Sequence, residues 1–237
     1  MGYHWEWFGT RKTKVDLQAT LLPLLGFRPT RVVRQSTMKQ MIDAVARPQP
    51  ESAAYGVCEF RGWTFLYGMG MFWDDDLKRV AKELSADAVS AIADSDTGTQ
   101  SFQYAKPDGT FRSRRFSPEK VDTKDYDWSS VVKRPEDLEV LKDNPFLEGY
   151  FDIEKDSVEG EPLPGEPLDI ALADDESLLI VLGGLGVPLG PLIDYHVGRV
   201  DFEKRKFVPG KGVLDRSLTI YFGELKEAST HSSRSTV

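Results

Sequence analysis

Tyr55-Gly-Val-Cys-Glu-Phe60 and Trp63-Thr-Phe-Leu-Tyr67 are two apolar runs joined by Arg61-Gly62, and how they are read decides the fold. A two-residue connection ending in glycine, set between strand-forming residues, specifies a β-hairpin, because such turns need positive φ. Trp63, Phe65 and Tyr67 fall on one face of the second strand and Leu66 on the other. Both faces therefore require cover, and the pair belongs in the middle of a sheet. Downstream, Asp74-Asp75-Asp76 can cap a helix start, and Leu77, Val80, Ala81 and Leu84 follow at helical spacing. Ala88 to Ala93 reads as a strand. Thr99 to Ala105 pairs with Thr110 to Phe116 across Lys106-Pro107-Asp108-Gly109, which is made of the residues turns require.

Upstream, Tyr3, Trp5 and Trp7 alternate with His4, Glu6 and Phe8, the period of a strand that lays its tryptophans on the core. Val15 to Leu25 predicts a helix kinked at Pro23 and ended by Gly26, and Arg31 to Arg34 a short strand. Ser36 opens a second helix that places Met38, Met41, Ile42 and Val45 on one face and stops at Arg47-Pro48. Beyond the central unit, residues 117–134 read as a connection, Pro135 to Lys142 as a short helix and Glu154 to Pro167 as an exposed loop. The C-terminal half reads as β throughout, with strands at 168–173, 177–182, 192–202, 206–208 and 217–225. The expected fold is α+β, a mixed or mostly antiparallel sheet with its helices concentrated in the N-terminal half. It forms a single domain over residues 1–228, with a sub-boundary in 117–134 and a disordered tail at 229–237.

The chain has 237 residues, 40% hydrophobic and 29% charged, a balance that fits a globular protein with a self-sufficient core. Its one cysteine, Cys58, has no intramolecular partner, and the start lacks a signal-like segment; both point to the cytoplasm. The formal charge is −8, unevenly spread: residues 1–47 hold eight basic and three acidic side chains, leaving −13 on the remainder. Such an acidic body argues against nucleic acid, whose phosphates need clustered cations. Two groups are nonetheless candidate binding residues: Asp74, Asp75 and Asp76 as an acidic cluster, and Arg112 and Arg114 as a local basic one.

Asp94-Ser-Asp96-Thr-Gly98-Thr99 follows an apolar strand and is the one acidic motif with catalytic character. Asp96-Thr97-Gly98-Thr99 resembles the aspartic protease turn, and Leu179 to Gly183 the element that supports it. That chemistry needs two carboxylates sharing a proton, and no second copy of the motif is present. A calcium loop starting at Asp94 fails because Thr99 and Ala105 stand where glycine and glutamate are needed. His4, His196 and His231 do not combine with Cys58 in a zinc spacing, so no metal or cofactor is expected. The glycine-rich apolar run 183–193 is a candidate partner surface if exposed, and at this length, interrupted by glycines and prolines, it is no membrane span.

Glu83-Leu-Ser85, Ala88 to Ala93, Ser101-Phe-Gln-Tyr104 and Pro107-Asp-Gly-Thr-Phe-Arg112 form a helix, a strand and a hairpin turning at Asp-Gly before an arginine. This pattern resembles small bacterial immunity proteins of polymorphic toxin systems. The resemblance implies a protein that acts by binding a partner and not by chemistry. Together with the −13 body it gives the expectation of a non-enzymatic cytoplasmic chain, an immunity protein whose acidic surface neutralises a basic protein partner. The alternative is a hydrolase, aspartic-protease-like or metal-dependent, using Asp94 and Asp96, which would have to converge with Asp74 to Asp76.

Overall fold

A computed structural model describes residues 4–11, 22–24, 26–46, 53–68, 74–94, 96–122, 134, 136, 150–201 and 204–225. Its centre is one nine-stranded antiparallel sheet. In chain order the strands are β1 (His4–Thr10), β2 (Phe27–Ser36), β3 (Ala53–Phe60), β4 (Trp63–Gly68), β5 (Ala88–Asp94), β6 (Thr99–Ala105), β7 (Phe111–Asp122) and β8 (Tyr150–Glu159). The separate hairpin β9 (Gly198–Asp201) and β10 (Lys206–Pro209) follows, and β11 (Leu218–Leu225) returns to the main sheet. The spatial order is β2-β11-β3-β4-β1-β5-β6-β7-β8. Because β11 lies between β2 and β3, the C-terminal strand completes a sheet begun at residue 4.

The β3–β4 hairpin turns at Arg61 (φ 47) and Gly62 (φ 84), the two positive values that match the right-handed twist of the flanking strands. Every residue of β4 is buried. Trp63, Phe65 and Tyr67 enter one core with Trp7 and Phe102, while Leu66 enters the other with Phe8 and Tyr55. Trp7 meets Phe65 edge-on at 6.3 Å and Tyr67 at 5.0 Å, so adjacent strands are locked by their rings.

Five helices are described. α1 (Leu22–Leu24) and α3 (Asp74–Leu84) cover one face; α3 sinks Leu77, Val80, Ala81 and Leu84 into it, as their spacing predicts. On the other face α2 (Met38–Ala46) contributes Met38 and Met41. Its cap is Thr37 rather than Ser36: the Gln40 backbone N–H donates to Thr37 Oγ1 and the Thr37 N–H to Gln40 Oε1, a reciprocal capping box.

The C-terminal half departs from the all-β expectation. Asp175–Gly184 is a helix, α4, where a strand at 177–182 was expected, and Leu189–His196 is a second, α5. Asp174 accepts hydrogen bonds from the Ser177 N–H and hydroxyl at 2.7 Å, and Asp175 and Glu176 occupy the positive first turn. Because α4 is apolar nearly all round, its sequence shows no 3.6-residue period. Within the run 183–193, Val187, Leu189 and Leu192 are buried in the core, while Gly183, Gly184, Gly186 and Pro191 are exposed. Residues 168–173 form no strand, β7 extends to Asp122 into the expected connection, and 150–159 is a strand where a loop had been expected from Glu154. The expected helix at 135–142, most of that at 15–25 and the tail at 229–237 lie outside the described residues.

Phe65 is 1% exposed and its ring lies against the backbone of Gly9. Phe65→Ala should cost about 3–5 kcal/mol through lost burial and a cavity, read as a shifted urea midpoint at unchanged slope. Burial, with Glu59 adding, pushes the Cys58 thiol up from 9.0 to about 12; burial, with Glu6 adding, pushes the Tyr55 phenol up from 10.0 to about 12. Both stay protonated in the fold, whereas the unfolded chain releases these protons near their ordinary values. Stability should therefore hold up to about pH 9 and decline from there toward pH 12. In the folded protein at pH 8, Cys58 should resist a thiol reagent that labels it fully in denaturant.

Candidate functional site

The strands β6 and β7 present two chemically different faces. Toward the α4 side point Phe102, Tyr104, Arg112 and Arg114, all buried. Arg112 donates from Nε to both carboxylate oxygens of Glu166, at 3.1 and 3.0 Å, and from Nη2 to Oε1 at 2.9 Å. Its Nη1 donates to the Gly160 carbonyl at 2.6 Å, and the Leu163 N–H donates to Glu166 Oε2 at 3.1 Å. Arg114 donates to the carbonyls of Pro167 at 3.2 Å and Ile170 at 2.7 Å, with Asp156 and Glu166 within 3.8 Å. Side-chain exposures of 5% for each arginine and 0% for Glu166 leave no surface for a partner. Arg112 and Arg114 are thus not the binding residues their sequence position suggested. They fasten the irregular segment 160–172, with buried Leu163 and Leu172, over the sheet.

Among the described residues the opposite face of the same strands is open and polar. A trough of about 790 Å³ crosses it, reaching from β1 to β8. Register defines its rows: Glu6 stands opposite Ile92, Ile92 opposite Ser101, Ser101 opposite Arg115, and Arg115 opposite Ser157. One step toward α3 lies the row Gln103, Ser113 and Glu159, continued outside the trough by buried Ser90. Asp94 and Thr99, also paired, line the other end. With strands about 4.8 Å apart, Glu6 and Arg115 are separated by about 14 Å of sheet. Among the described residues the lining carries three carboxylates (Glu6, Asp94 and Glu159) against one guanidinium, Arg115, with six Ser and Thr hydroxyls and no aromatic ring. At the α3 rim, Lys78 lies 3.7 Å from Glu159 and caps the Phe111 ring at 4.0 Å.

The acidic motif proves to be a turn. Asp94 Oδ1 accepts from the Asp96 N–H at 2.9 Å and from the Thr97 N–H at 3.4 Å, so its carboxylate closes the β5–β6 connection. Asp96 is exposed and does not line the trough, so the two do not form the proton-sharing pair that protease chemistry needs. Asp74, Asp75 and Asp76 open α3, and their side chains lie outside the described set. Among the described residues no cluster of three His, Cys, Asp or Glu could hold a metal ion. His196 is buried at the end of α5; burial pushes its pKa below 6.5, against the raising effect of Gly212 and Asp215. It stays neutral in the fold, and its contribution to stability is full above pH 6.5 and declines as the pH falls below it.

The trough residues Glu6, Ser101, Gln103, Arg115, Ser157 and Glu159 went unremarked as a site in the sequence. The available signal was the polar alternation Thr99, Ser101, Gln103 facing Ser113, Arg115, Ser117, which also describes an ordinary solvated face. No helix of the described residues is long and apolar enough to cross a membrane. No family model, no curated protein and no solved structure matches this chain.

Glu166→Ala should cost about 3–5 kcal/mol, since it leaves the buried Arg112 guanidinium without its carboxylate and Arg114 with Asp156 alone. Asp96→Asn should leave the melting midpoint where it is, since asparagine is itself at home in turns. Urea titrations of both variants, with limited proteolysis at 160–172 for the first, check this pair.

Proposed function

We propose that this chain is a non-enzymatic, cytoplasmic binding protein of the immunity kind, which neutralises a basic protein partner by taking a cationic segment of it into the trough. The observation that carries the reading is the lining: three carboxylates against one guanidinium, over a hydroxyl floor open along five strands. Small apolar ligands prefer concave, mostly apolar pockets, and among the described residues Ile92 and Val158 with Pro118 are the only apolar lining here. Sugars gain much from stacking on aromatic rings, and the described lining has none. A polypeptide carrying Lys or Arg suits an elongated acidic surface, and the −13 carried beyond residue 47 speeds its approach.

Ile92→Lys places a cation in the middle row, between Glu6 and Ser101. A partner isolated on the parent protein and identified by mass spectrometry should be basic. It should bind the Ile92→Lys variant at least about tenfold more weakly, a difference of about 1.4 kcal/mol, and lose affinity in salt. Equal binding by parent and variant would sink the reading. So would a peptidase or phosphatase activity of the parent that disappears in well-folded Asp94→Asn.

A further inference from the structure

The two outer strands of the sheet, β2 and β8, are built in opposite ways. An edge strand presents unpaired N–H and C=O groups, and proteins blunt such edges with proline, bulges and charge. β2 has all three devices. Pro29 lacks an N–H, its pairing with β11 shifts register between Leu218 and Ile220 and again between Phe222 and Gly223, and Arg28, Arg31 and Arg34 are exposed. β8 has neither proline nor bulge. Its ten residues keep continuous register with β7 from Tyr150, opposite Asp122, to Glu159, opposite Ser113. Among the described residues no strand lies beyond it, and 155–160 are exposed, with Val158 at 54%. Its sequence carries four carboxylates and one lysine, and Ser157 and Glu159 also line the trough.

We propose that β8 is a receiving edge: an extended cationic segment of the partner adds to the sheet beside β8, bonded through its backbone, and turns alternate side chains toward the acidic trough. This rests on the reading of the trough as the recognition surface and adds the mode of binding. Strand addition derives affinity from main-chain hydrogen bonds and specificity from alternate side chains, which is the division an open edge beside a charged trough provides. A second copy of the chain is a poor occupant. Two β8 edges would oppose like charges, and β2 of another copy carries the proline and the bulges.

The test uses the full chain and a fluorescein-labelled peptide of alternating Lys and Val, compared with the same peptide N-methylated at every second residue and with a Glu/Val counterpart. Anisotropy should show the Lys/Val peptide binding, the N-methylated peptide at least about tenfold weaker, and the Glu/Val peptide not at all. Hydrogen exchange of the complex should slow at alternate amides of β8. Equal binding of the methylated peptide, or no protection in β8, overturns strand addition; if Ile92→Lys still weakens binding, the trough reading stands without it. Failure of every peptide to bind, while the native partner remains sensitive to Ile92→Lys, also overturns strand addition alone. Indifference of both peptide and partner to Ile92→Lys overturns the reading beneath it.

Discussion

A nine-stranded sheet has two faces to keep from water, and the constraint that shapes this molecule is that its helices cannot cover both to the same extent. β4 at the middle is buried on both faces and is sandwiched, whereas its neighbour β1 already turns Glu6 toward the open trough. Toward β8 the cover becomes unequal. On one face the segment 160–172 and α4 continue over β6 and β7, so Phe102 and Tyr104 remain core. On the other, α3 ends the cover near Phe111 and Ala105, and from there the strands carry hydroxyls, amides and charges. The trough is therefore the part of a face that the described residues leave uncovered, and its polarity follows from its exposure.

The unequal cover depends on Arg112 and Glu166. An irregular segment laid over a sheet leaves backbone carbonyls facing the interior, and each must find a donor. The two guanidinium groups supply them, reaching Gly160, Pro167 and Ile170, while Glu166 and, beside Arg114, Asp156 balance the charge they bring. A fully apolar substitute at these positions would pack but would leave three carbonyls without donors. Planar forks from adjacent positions of one face of β7 suit the task better than lysines, because each presents several N–H groups in fixed directions.

The central unit was legible because its signals are local. The Arg61-Gly62 turn, the caps and spacing of α3 and the 106–109 turn each specify their element within a few residues. The C-terminal half was not, for identifiable reasons. α4 lacks periodicity because it is apolar on most of its surface, and only Asp174 with Ser177 marked it as a helix. Glu154 to Glu159 reads as loop because its charges belong to an edge strand, a position fixed by pairing with β7 and not by propensity. Arg112, Arg114 and Arg115 look alike in sequence, yet period-2 alternation buries the first two and exposes the third. Their separation needed the partner, Glu166, which lies far along the chain and in no motif.

The chemistry of the trough also limits how it can hold anything. A floor of hydroxyls and carboxylates is well hydrated, so a guest gains little by displacing water there unless it returns equivalent hydrogen bonds. Exposed ion pairs contribute at most about 1 kcal/mol each and are screened by salt. Three carboxylates, one of them already near Lys78, cannot by themselves supply tight binding. Affinity must then come from a source that charge only directs, and the face offers one directly beside it: the backbone of β8, whose hydrogen bonds are directional, little affected by salt and indifferent to side-chain identity. Charge in the trough would select which extended segment arrives and in which orientation, while the edge would decide how long it stays.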